Sequence, residues 1–190
     1  MSSSVDISNQ ALLMLGAQPI VSFDDQTVEA NALQVLYEPA KAQVLRSYPW
    51  RCATKNATLA QLAGDPIPPE WSYAFALPDD SLRILGVYSL DQVRSEVAWT
   101  LEGRSILTRQ ANVAARYVYD IEEPLLDGHV EMALAAKLAL DLSYTLTGSN
   151  NRETAMYQLY DQKLNEARVT DRQEASHRKF RIEQLDTVRR

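Results

Sequence analysis

The sequence predicts an α+β chain: an antiparallel α-helical bundle with an inserted small antiparallel β subdomain and an extended C-terminal arm. Three observations carry that expectation. Apolar residues recur at helical spacing near both ends, in residues 28–47 and 128–171, with capping residues and glycines at the boundaries. The middle third shows short alternating runs broken by prolines and turn dipeptides. Past Asp171 neither period persists. The expected organisation is therefore N-terminal helices of the bundle in 1–49, a β-rich insertion in 50–126, a helix pair completing the bundle in 127–171, and a basic arm in 172–190.

Each element has a local reason. Asp6 is placed to cap a short helix, Ile7 to Leu15, with Gly16 as its left-handed stop and Pro19 preventing continuation. Thr27 or Asp25 then caps a longer run from Val28 to about Ser47. Its expected stripe is Ala32, Val35, Leu36, Ala40, Val44 and Leu45. Pro39 lies inside that run and should kink or split it, because it removes one backbone hydrogen bond. Pro49 pushes Tyr48 to extended geometry and ends the helix.

From Trp50 to about Arg116 the texture is that of strands. Pro66, Pro68 and Pro69 predict a rigid turn. WSYAFALP and LRILGVYSL read as short strands around a turn at Asp79 and Asp80. EVAWTLEGRSILTRQ reads as a hairpin about Glu102-Gly103. ARYVYDIEE is a further strand with Tyr117 and Tyr119 on one face.

The strongest helix runs from about Gly128 to Leu146, between an Asp127 cap and Gly148. Val130, Met132, Leu134, Ala135, Leu138, Ala139, Leu140, Leu142 and Leu146 make it apolar on almost every side, so it must be covered on almost every side. The cover can be the chain's own bundle, or a neighbouring subunit on one face. Ser149 or Asn150 caps the last helix, about Asn151 to Asp171. Its narrow stripe is Met156, Leu159, Tyr160, Leu164 and Ala167. The short TGSN connection makes the two helices antiparallel neighbours.

Composition narrows the function classes. The apolar fraction of 46% is enough for a real core. The single cysteine, Cys52, excludes an internal disulfide framework and any multi-cysteine zinc site. MSSSVDISNQ has no basic region followed by an apolar one, so nothing there directs secretion, and no stretch reaches the ~18 apolar residues of a membrane span. The net charge of −6 is uneven: residues 172–190 carry six basic groups against three acidic, leaving −9 on residues 1–171. An acidic body argues against a general DNA-binding surface, and a basic tail suggests an arm that meets something acidic.

Catalytic chemistry finds little support. None of the six glycines forms a phosphate loop or a nucleophile elbow. His129 and His177 belong to no metal or catalytic spacing. The carboxylate pairs Asp24-Asp25, Asp79-Asp80 and Glu122-Glu123 lie beside turns or helix starts, where acids satisfy orphan N–H groups. A hydrolase built on Glu122, Glu123 or Asp79 is one rival reading. Trp50, Trp71 and Trp99 read as core or interface residues, with stacking on a sugar or base as the alternative. No catalytic residue, cofactor or metal is expected.

Two coupled segments are more specific. ALLMLGAQPIVSFDDQ leads into a helix closing in VLRSYPWRCATK, and ALAAKLALDLSYTLTGSNNRETAMYQLYDQKLNEARVTD follows far downstream. In this order and spacing they resemble the tail tubular protein A family, the ring-forming adaptors joining the portal of a tailed phage capsid to its short tail. The resemblance covers residues 5 to about 172. LLMLGAQPIVSFDD looks like the family's opening helix, glycine stop and proline loop. SYPWRCATKNATLAQLA looks like its aromatic-Pro-Trp junction into the first strand, and LTGSNNRE through EARVTD like its closing helix pair.

The resemblance implies a non-enzymatic virion protein of the tail or neck, made in the host cytoplasm. It implies a homo-oligomeric ring, usually of about twelve copies, with the portal above, a tail nozzle protein below and DNA passing through the lumen without sequence-specific binding. An acidic ring would let the genome slide. The expected subunit-interface residues are Val130, Leu134, Leu138, Met156, Leu159 and Tyr160. The expected portal-docking arm holds Arg178, Lys179, Phe180, Arg181, Ile182, Leu185, Val188, Arg189 and Arg190. A head-completion connector of a long-tailed phage and a basic-arm nucleic-acid binder are the alternatives.

Overall fold

The computed structural model describes residues 2–63, 67–91 and 95–174. The order of elements is α1 (Ser4–Leu15), α2 (Val28–Ser47), β1 (Thr54–Thr58), β2 (Tyr73–Ala76), β3 (Ser81–Ser89), β4 (Trp99–Glu102), β5 (Ser105–Thr108), β6 (Val113–Tyr119), a one-turn 3-10 helix (Glu123–Leu125), α3 (Gly128–Thr147) and α4 (Asn150–Glu174). The chain is thus mixed α and β, with four α-helices and two small antiparallel three-stranded sheets among the described residues.

The start of α1 corrects one expectation. Ser3, not Asp6, is the N-cap: its Oγ accepts from Asp6 N–H at 3.1 Å, while the Asp6 carboxylate accepts from Ser3 N–H at 2.8 Å. That reciprocal box satisfies two orphan donors, which one aspartate at the cap would not. Gly16 and Gly148 end α1 and α3 in the left-handed conformation, φ 69° and 61°, as their positions predict. After α1, the Asn9 side chain donates to and accepts from the Ile20 backbone at 2.9 and 2.8 Å, pinning the Pro19 loop. Thr27 caps α2; Asp25 instead accepts from Val21 and Ser22 N–H inside the loop.

Of the two outcomes expected at Pro39, the split does not occur: the helix runs without a break from Val28 to Ser47, and Pro39 sits on its exposed side. The apolar stripe differs from the sequence reading. The buried face is Ala30, Leu33, Tyr37, Ala40, Lys41, Val44 and Leu45; Val35 is exposed and Ala32 and Leu36 only half-buried. The expected stripe mixes residues from two faces, because α2 is apolar on both.

α3 is covered from within the chain: α1, α2 and α4 all pack on it. Their apolar side chains form one cluster with Trp50, Ala53, Val118 and Ile121. Each fully buried Leu there is stabilised by roughly 1.5–3 kcal/mol relative to exposure.

The strands form the orders β1-β6-β3 and β2-β5-β4. β2 and β3 follow one another around Asp79-Asp80 but belong to different sheets, so that turn makes no hairpin. β4 and β5 do, with Glu102 opposite Ser105. The two loop residues are therefore Gly103 and Arg104, one step later than expected, with Gly103 at φ 58° supplying the positive φ such loops require. Of the expected proline turn, Pro66 lies outside the described residues.

The facing sides of both sheets meet in a second cluster of Leu59, Phe75, Val87, Ile106, Val113, Ala115 and Tyr117. β6 serves both clusters, because neighbouring residues of a strand point to opposite faces: Tyr117 enters the β cluster and Val118 the helical one. The β3–β6 register skips Leu82 and Leu85, and both pack against the helical cluster. A bulge frees a side chain from the ladder and re-aims it.

Candidate functional site

The two segments that carry the sequence resemblance meet in space at one site. Pro49 holds Tyr48 extended, φ −153° and ψ 149°, so the chain leaves α2 sharply. Trp50 then turns inward; it is fully buried, and its Nε1–H donates to the Val44 carbonyl at 2.9 Å. Tyr48 lies against Trp50, ring centres 4.8 Å apart and tilted by 58°. This rigid corner presents Arg51 to the last turn of α4. The Arg51 N–H donates to Asp171 Oδ1 at 3.0 Å, and its guanidinium donates to the Glu174 carboxylate and carbonyl. Arg172 covers the Tyr48 ring from 5.6 Å and donates to its hydroxyl at 3.4 Å. The corner therefore fixes where the chain departs from α4, in a geometry of charge-assisted hydrogen bonds.

Residues 172–174 still belong to α4, which is longer at that end than the sequence predicts, since the arm is expected from Arg172 onward. The arm residues Arg178, Lys179, Phe180, Arg181, Ile182, Leu185, Val188, Arg189 and Arg190 lie outside the described residues, as does His177.

The expected interface residues separate into two groups. Val130, Leu134 and Leu138 are 2%, 1% and 0% exposed, covered by the chain's own helices. They offer no surface to a second subunit, which corrects that expectation: helical periodicity locates an apolar face but not what covers it. Met156, Leu159 and Tyr160 are half-buried along α4. The surfaces that the helices do present are others: Val28 and Val35 on α2, Tyr144 on α3, Tyr157 and Val169 on α4. An open groove of about 480 Å³ runs between the first turn of α3 and the later half of α4, lined by His129, Gln162, Asn165, Glu166, Val169 and Thr170.

The chemistry-bearing residues are distributed as follows. Cys52 is half-buried, and burial pushes its thiol above the usual range, the reverse of an activated nucleophile. Asp79 is exposed and pairs with Arg104 at 3.1 Å. Asp80 pairs with Lys55 and accepts from the Tyr117 hydroxyl at 3.2 Å. Burial works against its charge, but Lys55 and Tyr117 outweigh it and hold the carboxyl below its ordinary range. Lys55 also lies 4.3 Å from the Tyr119 ring centre and 5.7 Å from that of Tyr117, so both tyrosines share a face, as expected. Glu122 is exposed. Asp79, Glu122 and Glu123 do not line the α3–α4 groove. Trp50 is core, while Trp71 and Trp99 are half-buried.

One buried charge escapes the sequence reading. Lys41 is 6% exposed on the inner face of α2, with its Nζ 2.9 Å from Asp120 and 3.1 Å from Glu123. Burial lowers its basicity, but the two carboxylates more than offset this and raise it. Glu123 also accepts from the Tyr37 hydroxyl at 3.3 Å; burial opposes its charge, yet its own N–H, Lys41 and Tyr37 hold it below the ordinary value. Tyr37 is pushed up, by burial first and then by Glu123. The only sequence signal is a lysine four residues after Tyr37, which is ordinary on any helix. Among the described residues no group of three or more His, Cys, Asp or Glu is placed to hold a metal, and no helix is long and apolar enough to cross a membrane. No protein-family model and no curated protein matches the chain.

Proposed function

We propose that this chain is a structural protein of a virion neck: a head-to-tail adaptor whose copies form a ring linking the portal to the tail nozzle and letting DNA pass. In finer terms, the four helices act as an antiparallel bundle, the strands as its inserted subdomain, and residues 172–190 as an arm that orders on the portal. The observation that carries this reading is the joint order of two segments, ALLMLGAQPIVSFDDQ with SYPWRCATK, and LTGSNNRE through EARVTD. Support comes from their contact at Arg51, Asp171 and Glu174, which makes them parts of one unit. A heterologous ring needs two different faces on each subunit. The outer face of α2 and the Tyr144 and Tyr157 side of α3 and α4 are the candidates, in place of Val130, Leu134 and Leu138.

The test is electron microscopy of the protein mixed with the portal from the same genome, with light scattering on the protein alone. A ring capping one end of the portal supports the adaptor. A ring that binds a stopper and tail tube instead of a nozzle assigns it to long-tailed phages. A monomer that ignores the portal overturns the proposal. Deleting residues 173–190 is expected to weaken portal binding and leave the circular dichroism spectrum of the fold in place.

A further inference from the structure

α2 carries a second apolar face, opposite the one it buries. Val28, Ala32, Val35 and Pro39 follow one another at steps of four, three and four, so they form one row along the helix. Val28 is 66% and Val35 70% exposed, Pro39 is exposed, and Ala32 is half-buried. Leu13 on α1 and Val21 in the following loop are exposed as well. The row is about 17 Å long at ~1.5 Å per residue. Such a row offers an apolar segment a surface to lie on.

The stretch of chain that carries this strip has one sign of charge. Residues 1–40 contain Asp6, Asp24, Asp25, Glu29 and Glu38 and no lysine or arginine. Two such strips from separate copies would bring like charges together, so a symmetric α2–α2 pair is disfavoured. The complementary segment is apolar and basic. Residues 175–190 are of that kind: Phe180, Ile182, Leu185 and Val188 stand among Arg178, Lys179, Arg181, Arg189 and Arg190, against Glu183 and Asp186 alone.

The fold also delivers the start of that segment to the right end of α2. Glu174 is bound by Arg51, and Arg172 by Tyr48, the residue that closes α2. The near end of the strip, Pro39, lies about 14 Å back along the helix from Tyr48. The 16 residues that follow Glu174 span up to about 50 Å when extended. A tether of that reach gives the chain's own tail an effective concentration near ~1 mM, well above that of a second copy in dilute solution. We infer that, in the free monomer, the outer strip of α2 is a docking site for residues 175–190 of the same chain, which ring assembly would displace. This does not rest on the portal reading: a tail that docks on α2 in the free protein can do so whatever the protein's partner.

The experiment uses the full-length chain with Cys52→Ser, Val35→Cys and Leu185→Cys. A reference chain carries Tyr157→Cys, on the exposed side of α4, in place of Val35→Cys. Under mild oxidation a disulfide within one chain is expected to form about tenfold faster at position 35 than at 157, independent of dilution, in keeping with an intramolecular contact. Replacing Arg178, Lys179 and Arg181 by Glu is expected to erase the difference. Equal rates at the two positions overturn the inference. So does a disulfide that joins only separate copies, which would assign the strip to a neighbour's tail. Should the cysteine variants fail to fold, a water-soluble carbodiimide on the unaltered protein decides. Amide bonds from Lys179 to Glu29 or Glu38 in the monomer support the docking, and their absence while Lys179 reacts elsewhere overturns it.

Discussion

The helical and the β parts of this molecule bury their apolar residues by different means. Around α3, three other helices converge, and side chains from residue 7 to residue 167 fill one cluster. In the β part, strands of four to nine residues enclose a smaller cluster, and much of it hangs on β6 and β3, which each face both clusters. The helical cluster has redundancy; the β cluster is fastened to the helices through two shared strands, β6 by its alternating faces and β3 by its bulged leucines, Leu82 and Leu85. The β unit therefore depends on the helices for its footing more than they depend on it.

Paired substitutions measure the difference between the two clusters most directly. Leu138→Ala and Ile106→Ala remove similar side chains from fully buried sites, one in each cluster. Leu138→Ala is expected to cost about 4 kcal/mol and Ile106→Ala about 2–3 kcal/mol, because short strands collapse onto a void more readily than three clamped helices. Denaturant midpoints measure both, and equal losses would show the two clusters to be equally rigid.

The next effect probes the charge where α2 meets the end of β6. Lys41→Ala leaves Glu123 partly buried with only Tyr37 as side-chain partner. The loss is expected to be about 2 kcal/mol, below the ~3–5 of a fully buried pair because Asp120 is half exposed. The same contact predicts a pH dependence. Glu123 is depressed below its ordinary value of 4.5, so its contribution is present above about pH 4.5 and lost as pH falls through the lower folded value. Lys41 is raised, so its contribution is present below 10.5 and lost as pH climbs through the higher folded value. Lys41→Met is expected to flatten both limbs of the thermal stability curve; a curve unchanged in shape would place the acid sensitivity in the β unit, at Asp80 and Lys55.

Smaller still is Gly148→Ala, expected to cost about 1 kcal/mol because φ 61° is strained for any residue with a Cβ. The smallest effect is Asp79→Asn. Its carboxylate and the Arg104 partner are both largely exposed, and the thermal midpoint is expected not to move measurably.

Much of the fold is legible in the amino-acid sequence. Caps and stops at Thr27, Tyr48, Asp127, Gly16 and Gly148 are local chemistry, and they fall where the sequence places them. The two-period texture identifies helices at the ends and strands between, and it places the hairpin to within one residue. The candidate surfaces are less legible. Val130, Leu134 and Leu138 look like an interface because an apolar face reads the same whether a neighbouring helix or a neighbouring subunit covers it. On α2 the reverse occurs: Val35 reads as core and lies outside, since two apolar rows on one helix have no sequence mark telling inner from outer.

What the sequence determined by itself was local: element type, helix boundaries, the acidic first 40 residues and the basic last ones. Tertiary structure alone decided the rest. It sorted the strands into two sheets, with β2 and β3 parted despite their adjacency. It buried Lys41 between Asp120 and Glu123, and brought Arg51 to Asp171 and Glu174 from more than a hundred residues away. The physical reason is common to all of these. Caps and turns are settled by a residue and its near neighbours, whereas burial and ion pairing depend on which distant surface arrives, and that is a property of the whole packed chain.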